Sequence, residues 1–108
     1  MITWIENWFT EQCNGDWEHD QVISIESLDN PGWCVKIDFN YTDVNVENIE
    51  WKVFEFSEKD WIGYKVIDNV FHSSGDSLKL NICLKIFKYL IENKKLDLVE
   101  KDILELKS

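Results

Sequence analysis

Cys13 and His19 are the pair in this chain closest to a catalytic arrangement, a thiol and an imidazole on either side of an Asn14-Gly15 turn signal. A base beside a thiol can generate a nucleophilic thiolate. The sequence offers no third group to orient the imidazole and no loop of amides and cations to hold a persulfide. Asp16, Glu18 and Asp20 surround the pair instead, and carboxylates disfavour a thiolate. A cysteine just ahead of a helix-ending glycine is more often packing material. A small thiol enzyme of the sulfurtransferase kind, using Cys13, is therefore the alternative reading and not the leading one.

The carboxylates suggest a second chemistry. Asp16, Glu18 and Asp20, with Asp29, have the oxygen donors of a hard-cation site, but the spacing lacks the glycine and distal glutamate of a calcium loop. If residues 17–20 run extended, alternation puts Asp16, Glu18 and Asp20 on one face and Trp17 and His19 on the other. Such a face repels itself unless a cation or a basic protein offsets it. Solvation or a protein partner is the expected use, with no metal and no cofactor. Trp17 and Trp33 flank this stretch, where tryptophan can anchor an interface or pack into the core. Trp8, Trp51 and Trp61 read as core or core edge, and His72 as a surface histidine.

The elements that must position these residues follow from periodicity. Thr3-Trp4-Ile5-Glu6 has the form of a capping box, and Ile2, Ile5, Trp8, Phe9 and Gln12 recur at helical spacing, which predicts a helix over 3–13 ended by Asn14-Gly15. Residues 22–28 alternate as a strand. Asn30-Pro31-Gly32 is a type II turn signal. Trp33, Val35, Ile37, Phe39 and Tyr41 then alternate with Cys34, Lys36, Asp38 and Asn40, giving a hairpin with one face in the core and the other toward water or a partner. After a polar connection over 42–50, strands are expected over 51–56 and 61–71, and Ser73-Ser74-Gly75-Asp76 reads as a loop ending in a helix N-cap. Leu80, Cys83, Leu84, Phe87, Leu90 and Ile91 form an apolar stripe for a long helix over 77–93, with Lys94-Lys95 at its negative end. A short last helix fits 97–106. The expectation is a single α+β domain over 1–108, in which an N-terminal helix, a four-stranded antiparallel meander and a long C-terminal helix pack on one sheet face.

Charge narrows the partners. The chain has 108 residues and a net charge of −10, with lysine as its only strong base. Residues 1–60 carry 14 Asp and Glu against 3 Lys, a balance of −11, whereas residues 61–108 carry 7 against 8, a balance of +1. The acidic field therefore belongs to the first half, where it repels nucleic acid and anionic membrane and suits a basic protein. No apolar run approaches the roughly 18 residues of a membrane span, and the N-terminus lacks the basic start of a signal peptide. Three widely spaced cysteines make no disulfide framework. A soluble, cytoplasmic protein is expected.

The motifs also carry a resemblance. Trp4, Trp8 and Phe9, then Cys13-Asn14-Gly15-Asp16-Trp17-Glu18-His19, then Ile23 and Ile25, then Ser27-Leu28-Asp29-Asn30-Pro31-Gly32-Trp33 resemble the immunity 53 family of bacterial polymorphic-toxin immunity proteins. Trp61-Ile62, Val66, Phe71, Gly75-Asp76 and Leu80 continue it more loosely, and the resemblance covers about residues 1–92. It implies a small non-enzymatic antidote that binds a cognate toxin domain. With the charge asymmetry it suggests a basic toxin, a nuclease being one such, met by Asp16, Trp17, Glu18, His19, Asp20, Asp29, Asn30, Trp33 and Asp38. Monomer and homodimer remain open, and a generic intracellular adaptor is the remaining alternative.

Overall fold

The computed structural model describes residues 1–92 together with Lys101 and Ile103. The first helix, α1 (Ile2–Gln12), buries Ile5 and Trp8. It begins one residue earlier than expected, with Met1 as N-cap and no side-chain capping bond, so Thr3 and Glu6 do not form a capping box. The helix ends at Gln12, one residue before the expected end, with Cys13 extended, while Gly15 takes the positive φ expected of it, 97°, a conformation open to glycine without a Cβ clash.

Residues 17–20 are not extended. Trp17–Asp20 forms a helical turn, α2. The Asn14 side-chain oxygen accepts the amides of Asp16 and Trp17 at 3.0 and 2.9 Å, while the Glu18 carboxylate accepts those of Asn14 and Gly15 at 3.1 and 2.9 Å. This local network competes with extended backbone, so the three carboxylates do not share a strand face.

Five strands follow: β1 (Ile23–Leu28), β2 (Gly32–Asp38), β3 (Ile49–Ser57), β4 (Asp60–Ile67) and β5 (Val70–Asp76). The stretch expected as one strand over 61–71 is broken at Asp68-Asn69, both at positive φ (51° and 60°). These are the backbone angles of a two-residue hairpin turn, and Asp and Asn tolerate them. The presumed loop at Ser73–Asp76 is the second half of β5. The sheet is antiparallel with spatial order β1-β2-β5-β4-β3, so it is not a four-stranded meander. The connection 39–48 carries the chain to the far edge, and β3-β4-β5 returns until β5 pairs with β2. The β1–β2 loop has a cis Asn30–Pro31 bond, and Gly32 lacks the positive φ of the expected type II turn. Gly32 is needed for space instead, because a Cβ there would meet the Gly75 carbonyl.

The helix α3 (Leu80–Ile91) is shorter than the expected 77–93, and its N-cap is Lys79 rather than Asp76. Asp76 closes the preceding turn, its Oδ1 accepting the Leu78 amide at 2.9 Å. Phe87 of α3 meets the rings of Trp4, Trp8, Phe39 and Phe71 at 5.0–6.1 Å between centroids. These contacts join both long helices to one sheet face, where Val35, Ile37, Ile62, Tyr64, Val66 and Phe71 are fully buried. The architecture is therefore α+β, with helices packed on one side of the sheet. Lys94-Lys95 and most of the expected last helix over 97–106 lie outside the described residues. Within it Lys101 and Ile103 are helical, and Ile103 is part of the core.

Candidate functional site

The sheet separates the expected surface into two. β1 runs from Ile23 to Leu28, so its ends are about 17 Å apart at roughly 3.3 Å per residue. Asp16, His19, Asp20 and Asp38 lie at the end where β1 starts and β2 finishes. Asp29, Asn30 and Trp33 lie at the other. The Trp33 indole nitrogen donates to the Ser77 carbonyl at 3.0 Å, tying the β1–β2 hairpin to the turn before α3.

At the first end, several of the expected residues serve the fold. Trp17 is buried, stacks edge-on against Trp8 and Phe9, and donates its indole N–H to the Asn40 carbonyl at 2.9 Å. It is core and not surface, because the helical turn points it back onto α1. The Glu18 carboxylate is turned onto its own loop. Its own amide, then the amides of Asn14 and Gly15 and the charge of His19, outweigh partial desolvation and hold it below the usual range. Asp38 is half-buried. Its Oδ1 accepts the Asn40 amide at 3.0 Å and side-chain N–H at 2.9 Å, and Gln21, with its amide nitrogen facing the carboxylate, donates to both oxygens at 2.8 and 2.9 Å.

Asp16 and Asp20 remain exposed, as does His19. Asp16 and Asp20 line one shallow depression with Tyr41. Tyr41 was expected inside as the last residue of a strand. The strand ends at Asp38 and Phe39 is the last core position, so Tyr41 stands 88% exposed at φ 61°. That φ is rare for a bulky side chain and costs energy that only the surrounding structure can hold. Asn40 fixes it, its side-chain nitrogen donating to the Asp68 carbonyl at 3.0 Å. Asn69 of the β4–β5 turn accepts the Val46 amide and donates to Asn45, which brings the loop of Asp43 and Glu47 to the same end. The result is an exposed tyrosine among exposed carboxylates.

Beside this end lies an apolar groove of about 440 Å³ between α1 and the edge strand β1. Phe9, Val22 and Ile25 are exposed along it, at 36%, 58% and 41%. Glu6 and Glu18 form its charged lip. An apolar floor with a polar rim is the anatomy of a protein interface.

The geometry does not activate Cys13. Cys13 donates its thiol hydrogen to the Phe9 carbonyl at 3.2 Å, and desolvation and the Glu18 carboxylate push its pKa up, the wrong direction for a nucleophile. Burial raises Cys83 further, to about 11. Among the described residues no group of three His, Cys, Asp or Glu side chains is placed to hold a metal ion. Asp29 in particular is a strand length away from Asp16. No helix of the described residues is long and apolar enough to cross a membrane.

A family model described as Immunity protein 53 matches residues 2–92. The chain belongs to this immunity protein family. The match runs from α1 through the end of α3, including the Cys13–His19 turn and the Asn30–Trp33 hairpin. Comparison with curated proteins and with solved structures gave no match.

Proposed function

We propose that this chain is a non-enzymatic antidote that binds a cognate toxin domain and blocks it by occupying a basic surface. The observation that carries the reading is the apolar groove of Phe9, Val22 and Ile25 bordered by Glu6 and Glu18 and continued by Asp16, Asp20 and Tyr41. Membership of an immunity protein family supplies the class of partner. Charge suggests its sign: residues 1–60 have a balance of −11, and Glu6, Asp16 and Asp20 are the part of it exposed at this surface. Toxins that act on nucleic acid need basic clefts, and an acidic face steers toward such a cleft and competes with polyanions for it. Tyr41 is the anchor of this surface, since exposed tyrosines held rigidly at interface centres dominate binding energy. The inhibitor acts in the bacterial cytoplasm, beside the toxin it restrains.

Co-expression with the C-terminal domain encoded directly upstream, followed by co-purification, tests the reading. Rescue of growth with a stable complex is expected. A toxic, soluble neighbour that is neither bound nor neutralised overturns it. Within a complex, Tyr41→Ala combined with Asp16→Ala and Asp20→Ala is expected to weaken binding by about 2–4 kcal/mol without lowering the melting temperature. Unchanged affinity would remove this end of the molecule from the interface.

A further inference from the structure

The sheet face opposite the helices carries a basic row, two lysines with a histidine between them. Lys36 on β2 stands opposite His72 on β5, and His72 stands opposite Lys65 on β4. The three occupy adjacent strands and span about 10 Å. They sit on a face with exposed apolar residues, for Trp51 and Val53 are each 45% exposed. The Trp51 ring lies over Gly63, where an added Cβ would approach it to 2.5 Å.

Burial and the two flanking lysines disfavour the protonated imidazole, so near neutral pH the row carries two charges, one on each side of His72. Among the described residues, the side chains of Lys36, His72 and Lys65 make no hydrogen bond or ion pair. Glu26 on β1 and Glu55 on β3 share the face, opposite Cys34 and Trp61, and neither pairs with the row. A chain with 21 carboxylates and 11 lysines thus sets two lysines and a histidine side by side with no partner among the described residues. The packing gives no reason for it: the sheet needs neither lysine to fill its core.

We propose that this row is a second docking surface, which receives a short carboxylate-bearing segment of the toxin domain. It rests on the reading of the chain as a toxin-binding protein and adds a contact of opposite sign to the acidic end. Charge complementarity selects the occupant. The row accommodates two carboxylates, one for each lysine, and charges beyond about 8 Å are screened at physiological salt, so the acidic ends of the sheet do not cancel it. A nucleic acid would continue past the row onto those acidic ends and be repelled. Trp51 and Val53 offer the segment an apolar neighbour.

Binding of the upstream-encoded toxin domain to the wild type, to Lys36→Glu with Lys65→Glu, and to Lys36→Met with Lys65→Met tests the proposal by calorimetry. Circular dichroism and melting confirm that the variants fold. The charge reversal is expected to weaken binding about 100-fold, because like charges across an interface cost several kcal/mol. The methionine pair is expected to weaken it less while melting no lower than wild type. A wild type that binds and reversal variants that bind equally well overturn the second surface and leave the function standing. A wild type that does not bind overturns both. Loss of a homodimer by the reversal variants, seen by light scattering with toxin affinity intact, also overturns the proposal, since the row would then face a second copy of this acidic chain.

Discussion

Single side chains in this molecule divide sharply between holding the fold and facing outward, and neighbours in sequence fall on opposite sides of that division. Trp17 and Asp16 are adjacent, yet one is core and the other exposed. Trp17→Ala is expected to lower stability by about 3–5 kcal/mol in denaturant melts, through the cavity it leaves and the Asn40 bond it loses. A loss below about 1 kcal/mol would mean that its ring does not pack between Trp8 and Phe9. His72 makes a pH prediction. Burial, then Lys65, then Lys36 lower its pKa below the unfolded value. The unfolded chain therefore binds more protons in this range, so this contribution is intact above about pH 6.5 and stability falls as pH drops through the folded pKa. Lys65→Met should flatten the fall between pH 7 and 5, read as melting temperature against pH. An unchanged slope would detach His72 from the lysines.

Among the elements, the turn between β5 and α3 is held by ionic bonds. Lys79 bridges Asp60 at 2.8 Å and Asp76 at 2.7 Å, and Asp76 accepts the Trp61 amide at 2.9 Å. Burial alone would raise the Asp76 carboxyl, but the Lys79 hydrogen bond, the Leu78 and Trp61 amides and the Lys79 charge outweigh it and hold its pKa low. A carboxyl depressed on folding contributes stability above its unfolded pKa and loses it as pH falls through the folded value. Asp76→Asn should therefore destabilise the protein at pH 7 and narrow its difference from wild type in strong acid. A difference that is constant with pH would mean that Asp76 contributes packing and not charge. The strand boundaries explain why this anchor is hard to read in advance. Asp76 looks like a helix cap by its position before an apolar stripe, and only pairing of Gly32 with Asp76 and of Cys34 with Ser74 shows that the segment is sheet.

For the whole molecule, the distribution of charge governs association. The acidic end and the lysine row lie on different parts of one small body, so a partner that covered both would have to present both signs. Association with a basic toxin should be fast at low salt and fall steeply as ionic strength rises, with dissociation little changed. Stopped-flow rates over a salt series read this directly. A salt-independent association rate would remove steering and leave the apolar groove as the source of recognition.

Much of this was legible in the amino-acid sequence. Alternation along Trp33–Phe39 marked a strand with two unlike faces, the 3.6-residue stripe of Leu80–Ile91 marked the helix that covers one of them, and the Cys13–Trp33 motifs marked the family. These signals are local, because a core face must repeat with the period of its own backbone. The tertiary structure alone decided which residues share a surface. The β3-β4-β5 return inserts β5 beside β2 and puts His72 between two lysines from strands far apart in the chain. The length of β1 parts Asp16 and Asp20 from Asp29. The end of β2 turns Tyr41 out of the core. Strand order and strand ends are set by long-range pairing, which leaves no periodic mark in the sequence, and so which residues share a surface could be read only once the sheet was assembled.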